Sequence, residues 1–462
     1  MDTSPLHGTA CIGCRRRGRR CDRTLPTCLS CERRGVACEG YVTKWPGVAA
    51  RGKLAGKPIP VADSSAAIAG IGSTLTRARQ RQAKQNSTAK SCSRPVFDSI
   101  ADEEIDKFVQ HYVADLSSIF HLGNGPSENP MFHYILPLID SVPPIRFALA
   151  GSASCHIAAR NSDKALAQKS LRLRLHATHL LRKMLEHPNT VTDQTILASI
   201  LVLAQLDMCS GDCTEFGTHL KAAVVIVRDE AYDGLANRYY FDQRLAWLDV
   251  MSSTTSARPP NLTREEVMAI LRRFSSHGTR QWSYDVFPCP IELFEIISET
   301  TFLFKGQQAT ATPGQVGLQF EGLRDRVRGW KCPGMSGSRK HMVEAWRLGI
   351  TAYLQRLFPV VNHEVDQVTA LSRQVLDLAE LIPPATTWSY AMLWPIFQVA
   401  VTLRDGELKE KEQIRRRLKI ALEAIGCRHH SNALETLEVV WARREQYDPF
   451  TISMPGRTIM LV

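Results

Sequence analysis

The sequence lacks the main features of membrane proteins, secreted proteins and common enzymes. Its most apolar stretch, Ile196–Ala204, is far shorter than the about 20 residues that a membrane-spanning helix needs. The start, Met1–Ala10, has no apolar run typical of a secretion signal, so we expect a soluble intracellular protein. The motifs G-x-S-x-G, G-x-G-x-x-G and the P-loop are also missing, so we expect no enzyme.

One long segment contains almost none of the residues that build a core. Residues 46–96 have no aromatic side chain and only one acid, Asp63, against nine Lys and Arg. Such a segment buries too little apolar area to offset its chain entropy, so residues 42–95 are predicted to be a flexible basic linker. Ser73–Lys90 shows no apolar heptads, so nothing in this segment supports a coiled-coil homodimer.

Positive charge is concentrated at one end of the chain. Residues 1–94 contain 18 Lys and Arg but 5 Asp and Glu, whereas the remainder contains 39 and 41. A basic end on a nearly neutral body is typical of a protein that binds nucleic acid. A solvated basic tail would have the same composition, so charge alone does not decide between the two.

Cysteine is dense in the same basic end. Six of the thirteen cysteines occur as Cys11-x2-Cys14-x6-Cys21 and Cys28-x2-Cys31-x6-Cys38, so one spacing is repeated twice. In a reducing compartment such density indicates a metal site rather than disulfides. A redox pair, a zinc ribbon and a metallothionein-like sink are the alternatives, and the doubled spacing favours none of them.

The spacing predicts two zinc ions. Each half supplies three thiolates, whereas zinc takes four ligands in a tetrahedron, so six thiolates satisfy two ions only if two sulfurs are shared. The symmetric choice is the first cysteine of each half, Cys11 and Cys28. One ion would then bind Cys11, Cys14, Cys21 and Cys28, and the other Cys28, Cys31, Cys38 and Cys11. With Asp22, Glu32 and eight arginines, the metallated unit would keep a charge of about +4, which favours phosphates.

These residues resemble the fungal six-cysteine binuclear zinc-cluster (Gal4-type) transcription factors. The likeness rests on the spacing, on the basic run 15–20, on Asp22 after the third cysteine and on the loop residue Pro26. It implies a nuclear, sequence-specific regulator of RNA polymerase II transcription. A short helix after the second cysteine would enter the major groove of double-stranded DNA and read a CGG-like triplet.

Base and phosphate contacts follow from this resemblance by position. Arg17 is the candidate for a base contact, since one guanidinium can bind guanine O6 and N7 together. Arg15, Arg20 and Arg23 are candidates for phosphate contacts, which fix register without reading sequence. The family usually has lysine where this chain has Gly18, so only a backbone carbonyl would contact DNA there. The glycine also suggests that the helix ends near this point.

The remainder of the chain has helical periodicity. In Glu103–Leu116, for example, Ile105, Phe108, Val109 and Tyr112 share one face. The nearly all-apolar run from Asp193 to Met208 predicts a buried helix. Further helices are predicted at Ile145–Ala159, Ala165–Leu185, Phe216–Val227, Phe241–Ser253, Ile291–Phe304, His341–Phe358, Val365–Leu381, Ala391–Leu403, Lys409–Ile425 and Asn432–Arg444. Ser256–Leu262 and Thr310–Gly337 are predicted to be loops because they are rich in Gly, Pro and charge.

This region is similar to the fungal-specific transcription factor domain that accompanies many such clusters. The resemblance covers most of residues 97–445 and rests on segments 129–138, 211–223 and 247–250, with Trp394-Pro395 and Trp441. It implies an all-α regulatory domain that contacts the transcription machinery or co-regulators, and leaves a homodimer open. The predicted domains are therefore 8–41 for the cluster, 42–95 for the linker and 96–462 for the helical domain.

Two other groups could ligate metal, and one other function competes. His176 and His179 lie one turn apart, but no third ligand is in register, so a surface pair is favoured. Cys209, Cys213 and His219 are better explained as thiols and an imidazole at helix ends beside a glycine turn. An RNA or chromatin protein could use the cluster as a folding module, but residues 11–38 have no aromatic side chain on which an unpaired base could stack.

Overall fold

The computed structural model describes residues 10–22, 28–36, 38, 100–122, 129–186, 194–229, 238–275, 287–306, 313–332, 334–358, 365–383, 386–403, 405–442 and 459–461. The chain divides into two compact units, residues 1–93 and 94–462. In these described ranges every regular element is helical, which confirms the mostly α fold class. The predicted flexible linker, 42–95, lies outside them.

The first unit contains two short helices, α1 (Ile12–Arg16) and α2 (Leu29–Glu32). Among the described residues of this unit, the buried side chains are cysteines: Cys11, Cys14, Cys28 and Cys31 are at most 3% exposed. Four thiols are a very small core for a folded unit. The unit is therefore organised by what its sulfurs bind.

The second unit is an array of helices. In chain order they are α3 (Asp102–His111), α4 (Pro130–Tyr134), α5 (Pro143–Asn161), α6 (Lys164–Leu185), α7 (Gln194–Ser210), α8 (Phe216–Val227), α9 (Arg238–Ser253), α10 (Arg264–Ser275), α11 (Ile291–Gly306), α12 (Pro313–Gly329), α13 (Gly337–Leu357), α14 (Val365–Glu380), α15 (Thr387–Ala391), α16 (Leu393–Ala400), α17 (Leu408–Ile425) and α18 (His429–Ala442). A π-helical turn, Tyr112–Leu116, extends α3 into the short turn Ser117–Ile119.

Two groups of helices build the core of this unit. In the first group, α5 packs against α3, α6 and α7, and in the second, α13 packs against α14 and α16. Every residue of α7 from Ile196 to Cys209 is buried, which confirms the predicted buried helix, although its proposed cap Asp193 lies outside the described residues. No described helix has both the length and the apolarity to span a membrane.

Stacked tryptophans join the second group to α9. The Trp346 and Trp394 rings stack with their centroids 4.9 Å apart, and Trp247 lies 5.7 Å from Trp346. The indole of Trp346 donates to the carbonyl of Ala391 at 2.9 Å, and that of Trp394 donates to Thr254 Oγ1 at 3.0 Å. Large rings with satisfied N–H groups suit a buried position, so this column anchors α9, α13, α15 and α16.

The sequence-based prediction was wrong about one loop and missed some helices, such as α4 and α10. Thr310–Gly337 was expected to be a loop, but it contains α12, which begins at Pro313 and buries Phe320, Leu323 and Val327 on one face. Proline suits the first turn of a helix, and the apolar spacing outweighs the low helix propensity of the internal glycines. Helix α10 was not predicted. Its capping residue Thr263 receives the Glu266 N–H at 3.2 Å, and Glu266 accepts the Thr263 N–H at 2.6 Å.

Candidate metal centre and nucleic-acid interface

The six cysteines of the first unit lie together as two overlapping groups of four sulfurs. Within each group all sulfurs lie within 4.8 Å of one another; the groups are Cys11, Cys14, Cys21, Cys28 and Cys11, Cys28, Cys31, Cys38. Cys11 and Cys28, 3.6 Å apart, belong to both groups. Cys14 Sγ lies 3.9 Å from Cys28 Sγ, and Cys31 Sγ lies 3.8 Å from Cys11 Sγ. Cys14 and Cys31, which share no group, are also 3.8 Å apart.

These separations fit zinc. A tetrahedron with metal–sulfur bonds of roughly 2.3 Å places its sulfurs about 3.8 Å apart. A disulfide would need about 2.05 Å, so the pairs are far too open for that bond. The donor set also fits, because sulfur-only tetrahedral sites are typical of structural zinc.

The two halves repeat the same N–H···S hydrogen bonds. Each second cysteine donates its backbone N–H to the sulfur of the first, Cys14 to Cys11 and Cys31 to Cys28, both at 3.3 Å. Each first cysteine donates its N–H to the sulfur of the third, Cys11 to Cys21 at 3.4 Å and Cys28 to Cys38 at 3.5 Å. The halves therefore share one pattern of N–H···S bonds, and such a bond favours the thiolate form of the accepting sulfur.

A glycine ends the first helical turn of each half. Gly18 and Gly35 have φ of +61° and +63°, in the left-handed region that L side chains rarely adopt. Beyond Gly18 the Arg19 N–H bonds the Cys14 carbonyl at 2.9 Å, and beyond Gly35 the Val36 N–H bonds the Cys31 carbonyl at 3.1 Å. The glycine at position 18 predicted that the helix ends near this point, and the structure has a glycine-terminated helix end there. Gly35 was missed, although both glycines stand four residues after the second cysteine of their half.

Asp22 joins the two halves through its carboxylate. It accepts the backbone N–H groups of Leu29 at 2.9 Å and Ser30 at 2.5 Å, and the Ser30 hydroxyl at 2.6 Å. These N–H groups begin α2 and have no partner within the helix, so the carboxylate caps α2 from the other half. Aspartate is a preferred capping residue, so its residue type is compatible with this role. Nothing in the sequence indicates that Asp22 caps a helix that begins seven residues further along the chain.

Burial opposes ionisation of the four central thiols in the absence of metal. Desolvation raises the pKa of Cys11, Cys14 and Cys28 above its ordinary value. The pKa of Cys31 is raised first by its interaction with Cys28 and then by desolvation. Zinc must therefore displace protons as it binds, which couples its affinity to pH and to folding of the unit.

An exposed basic surface follows the end of α1. Arg16, Arg17, Gly18, Arg19 and Arg20 are all exposed, and Arg17 is the first residue beyond the helix, its N–H bonded to the Gly13 carbonyl at 3.2 Å. Arg15, another residue expected to contact DNA, lies in α1, but the structure does not describe its side chain. Arg23 and the loop residue Pro26 lie outside the described residues altogether.

Neither of the other candidate metal groups assembles in the second unit. In the part of the chain that the structure describes, the groups able to hold a metal are the two cysteine groups. His219 Nδ1 lies 3.1 Å from the buried carboxylate of Asp207, and Cys213 donates to the Asp207 carbonyl at 3.6 Å. His176 packs edge-on against Phe147 with ring centroids 4.3 Å apart. These groups are structural.

Two family models match the chain. The fungal Zn(2)-Cys(6) binuclear cluster domain matches residues 9–45, and the fungal specific transcription factor domain matches residues 107–453. Comparison with curated proteins and with solved structures finds no match. The first domain binds two zinc ions, and both are domains of transcription factors rather than of enzymes. The chain therefore belongs to the fungal specific transcription factor domain family and carries a Zn(2)-Cys(6) cluster that makes it a zinc-dependent DNA-binding transcription factor.

Proposed function

We propose that the two zinc ions are held as two tetrahedra sharing Cys11 and Cys28. One ion binds Cys14 and Cys21 in addition, and the other binds Cys31 and Cys38. The overlapping groups of four sulfurs support this assignment, as does the repetition of the N–H···S bonds in both halves. The zinc ions supply folding free energy, because the unit has little apolar core of its own.

The DNA-contacting surface is the end of α1 and the residues after it. Arg17 reads a guanine in the major groove, Gly18 offers its carbonyl, and Arg15, Arg20 and Arg23 bind phosphates. The exposure of Arg17 immediately after the end of α1 is the observation that carries this proposal. The target is then a CGG-like triplet upstream of genes transcribed by RNA polymerase II, and the protein acts in the nucleus.

The experiment compares Arg17→Ala with two variants of equal charge change. Site selection from randomised DNA with the zinc-loaded protein should show Arg17→Ala losing about 1–3 kcal/mol on the preferred site and losing preference at one base pair. Arg20→Ala should weaken binding to all sequences alike and reduce the salt dependence. Arg34→Ala is the matched control, since Arg34 occupies in the second half the position that Arg17 occupies in the first.

Two results would overturn the assignment. An Arg17→Ala protein that selects the same sites as the unchanged protein would show that Arg17 does not read a base. If Arg34→Ala alters base preference and Arg17→Ala does not, the reading surface is on the second half of the cluster. Preferential binding to single-stranded RNA would favour the competing function as an RNA-binding protein.

The helical unit is proposed to contact co-regulators or the transcription machinery. Its large buried core and the absence of catalytic motifs suit a scaffold for such contacts. A homodimer on DNA is a further proposal, tested by whether the length of protected DNA and the stoichiometry correspond to one chain or two.

A further inference from the structure

Helix α6 exposes leucines along one line of its surface. Leu171, Leu175 and Leu185 are 50%, 52% and 46% exposed, and they are three of the ten large hydrophobic residues that the described structure leaves exposed. Single exposed leucines are common on protein surfaces, so their placement along the helix decides whether they form a surface. The line runs through Leu171, Leu175, Thr178, Arg182 and Leu185, with spacings of four, three, four and three residues.

This spacing is that of a coiled-coil seam, and we call these five residues the seam. Residues that alternate by four and three occupy the a and d positions of a heptad, against which a second helix packs. Another face of α6 is already used, because Leu173, Ala177 and Leu181 are buried where the helix packs against α5 and α7. Thr178 suits the seam, since its hydroxyl donates to the Arg174 carbonyl at 2.9 Å. At 1.5 Å per residue the seam is about 21 Å long.

The charged side chains of α6 are all basic. Its 22 residues contain six Lys and Arg and no acid. Two of the six, Lys169 and Arg174, form ion pairs with carboxylates of other elements. The other four are exposed: Lys164, Arg172, Arg182 and Lys183. Arg172 flanks the seam and Arg182 lies within it, so a helix that docks here meets positive charge at its side and along its centre.

We infer that the seam binds an acidic amphipathic helix of a partner protein, an inference that rests on the proposed contact of the helical unit with co-regulators. A second copy of this chain fits poorly, because parallel copies would place Arg182 against Arg182 and antiparallel copies would place it against Leu175. In either arrangement two helices without acids would meet, and like charges oppose association. The chain's own segment 46–96 also has the wrong charge, with nine Lys and Arg against one acid. A partner acid opposite Arg182 would fix the register, as a polar residue at an a position does in coiled coils.

The test titrates the full-length, zinc-loaded protein into either of two fluorescently labelled peptides of three heptads. Both peptides have leucine at the a and d positions; the acidic peptide has glutamate at the e and g positions, and the basic peptide has lysine there. Like charges at these flanks keep each peptide from pairing with itself. Fluorescence anisotropy should show the acidic peptide binding saturably and at least about tenfold more tightly than the basic one, because it complements the charge of α6.

Matched variants locate the binding site on the protein. Leu175→Gln should weaken binding of the acidic peptide by about tenfold or more, whereas Leu318→Gln makes the same change at an exposed leucine of α12 and should leave binding unchanged. Arg182→Glu should also weaken it, with Arg328→Glu, at an exposed position of α12, as the control of equal charge change. All four positions are exposed, so the melting temperatures should stay close to that of the unchanged protein.

The inference is overturned if the acidic peptide does not bind saturably, if the basic peptide binds as tightly, or if Leu175→Gln binds as tightly as the unchanged protein. The first of these results is also expected if another segment of this chain covers the seam. A dimer in sedimentation equilibrium that Leu175→Gln dissociates would overturn the inference in favour of self-association. A reporter gene separates the two proposals: changed transcription without peptide binding would refute the seam alone, and peptide binding without changed transcription would refute the proposed function alone.

Discussion

Replacing Gly18 by alanine tests the backbone geometry at the end of α1, where DNA contact is proposed. At φ of +61° an L side chain costs roughly 1–2 kcal/mol. An added Cβ would meet nothing within 4 Å, so no steric clash adds to this cost. Alanine restricts the unfolded chain, which returns up to about 1 kcal/mol. The expected net loss is about 1 kcal/mol.

Because zinc binding supplies the folding free energy of the cluster, this loss should appear as weaker zinc binding. We expect about a fivefold decrease in the overall two-zinc binding constant, measured by competition with a chromophoric chelator. Gly18→Asn should lose less, since asparagine tolerates the left-handed region. Gly35→Ala should lose as much as Gly18→Ala, because Gly35 has a similar φ and equally open surroundings. Unchanged zinc affinity in Gly18→Ala, or equal losses for asparagine and alanine, would refute the reasoning.

The same pair of glycines isolates the DNA contact that the family's lysine would make. Gly18→Lys and Gly35→Lys add the same charge and the same strain, but only Gly18 adjoins Arg17. Tighter binding of Gly18→Lys to CGG-containing DNA, relative to Gly35→Lys and to scrambled DNA, would measure a base contact. Equal behaviour of the two variants would mean that lysine at this position adds only charge.

Three other perturbations have expected outcomes. Asp22→Ala removes the acceptor of three hydrogen bonds at α2 and should lower the stability of the cluster by about 2 kcal/mol. The chelator assay should show this loss as weaker zinc binding, and an unchanged zinc affinity would contradict the capping role. Gly349→Ala places a Cβ 2.9 Å from Pro395 Cα and should lower the unfolding free energy of the helical unit, measured by thermal unfolding, by about 1–3 kcal/mol. Gly322→Ala is the control: its Cβ would meet nothing within 4 Å, so it should not destabilise the unit. Desolvation lowers the pKa of His430 to about 4, and burial also lowers the pKa of His429 and His156. Because the unfolded chain then binds more protons than the folded one, stability falls with pH below about 6.5, and His430 should account for about 2 kcal/mol of the fall in unfolding free energy between pH 7 and pH 5. His430→Gln should remove that share in denaturant unfolding, and an unchanged pH dependence would contradict this.

The cluster could be predicted from the sequence because metal geometry restricts the chain more strongly than packing does. Four sulfurs around one ion require near-fixed spacings, and these are visible as the two identical cysteine triplets. The repeated glycine, Gly18 and Gly35, was equally visible in the sequence. The bonds from Ser30 to Asp22 were not, because they join residues of different halves that no local pattern links.

The helical unit was predictable where periodicity and propensity agree. Helix α7 is nearly all apolar and was located almost to the residue. Helix α12 was wrongly taken as a loop because Pro313 and its glycines argue against a helix, whereas burial of Phe320 and Leu323 decides for one. Propensity is a weak guide when tertiary contacts oppose it.

The recess lined by Phe120, Trp247, Trp346 and Tyr390 could not be predicted from the sequence. Its walls come from residues as far apart in the chain as Phe120 and Leu461, and no local pattern links them. Sequence reasoning reaches such features only after the fold is known.

The repeated half-cluster has a consequence for how such a unit could arise. One copy of the repeat offers three sulfurs and a glycine-ended turn, which is one ligand short of a closed zinc shell. Two separate peptides carrying one copy each would complete both shells by exchanging their first cysteines, as the subunits of a symmetric dimer do. On the proposed zinc assignment, the present chain is equivalent to that dimer with its subunits joined through residues 23–27. Gene duplication and fusion of a metal-dependent dimer is therefore a sufficient origin for the cluster.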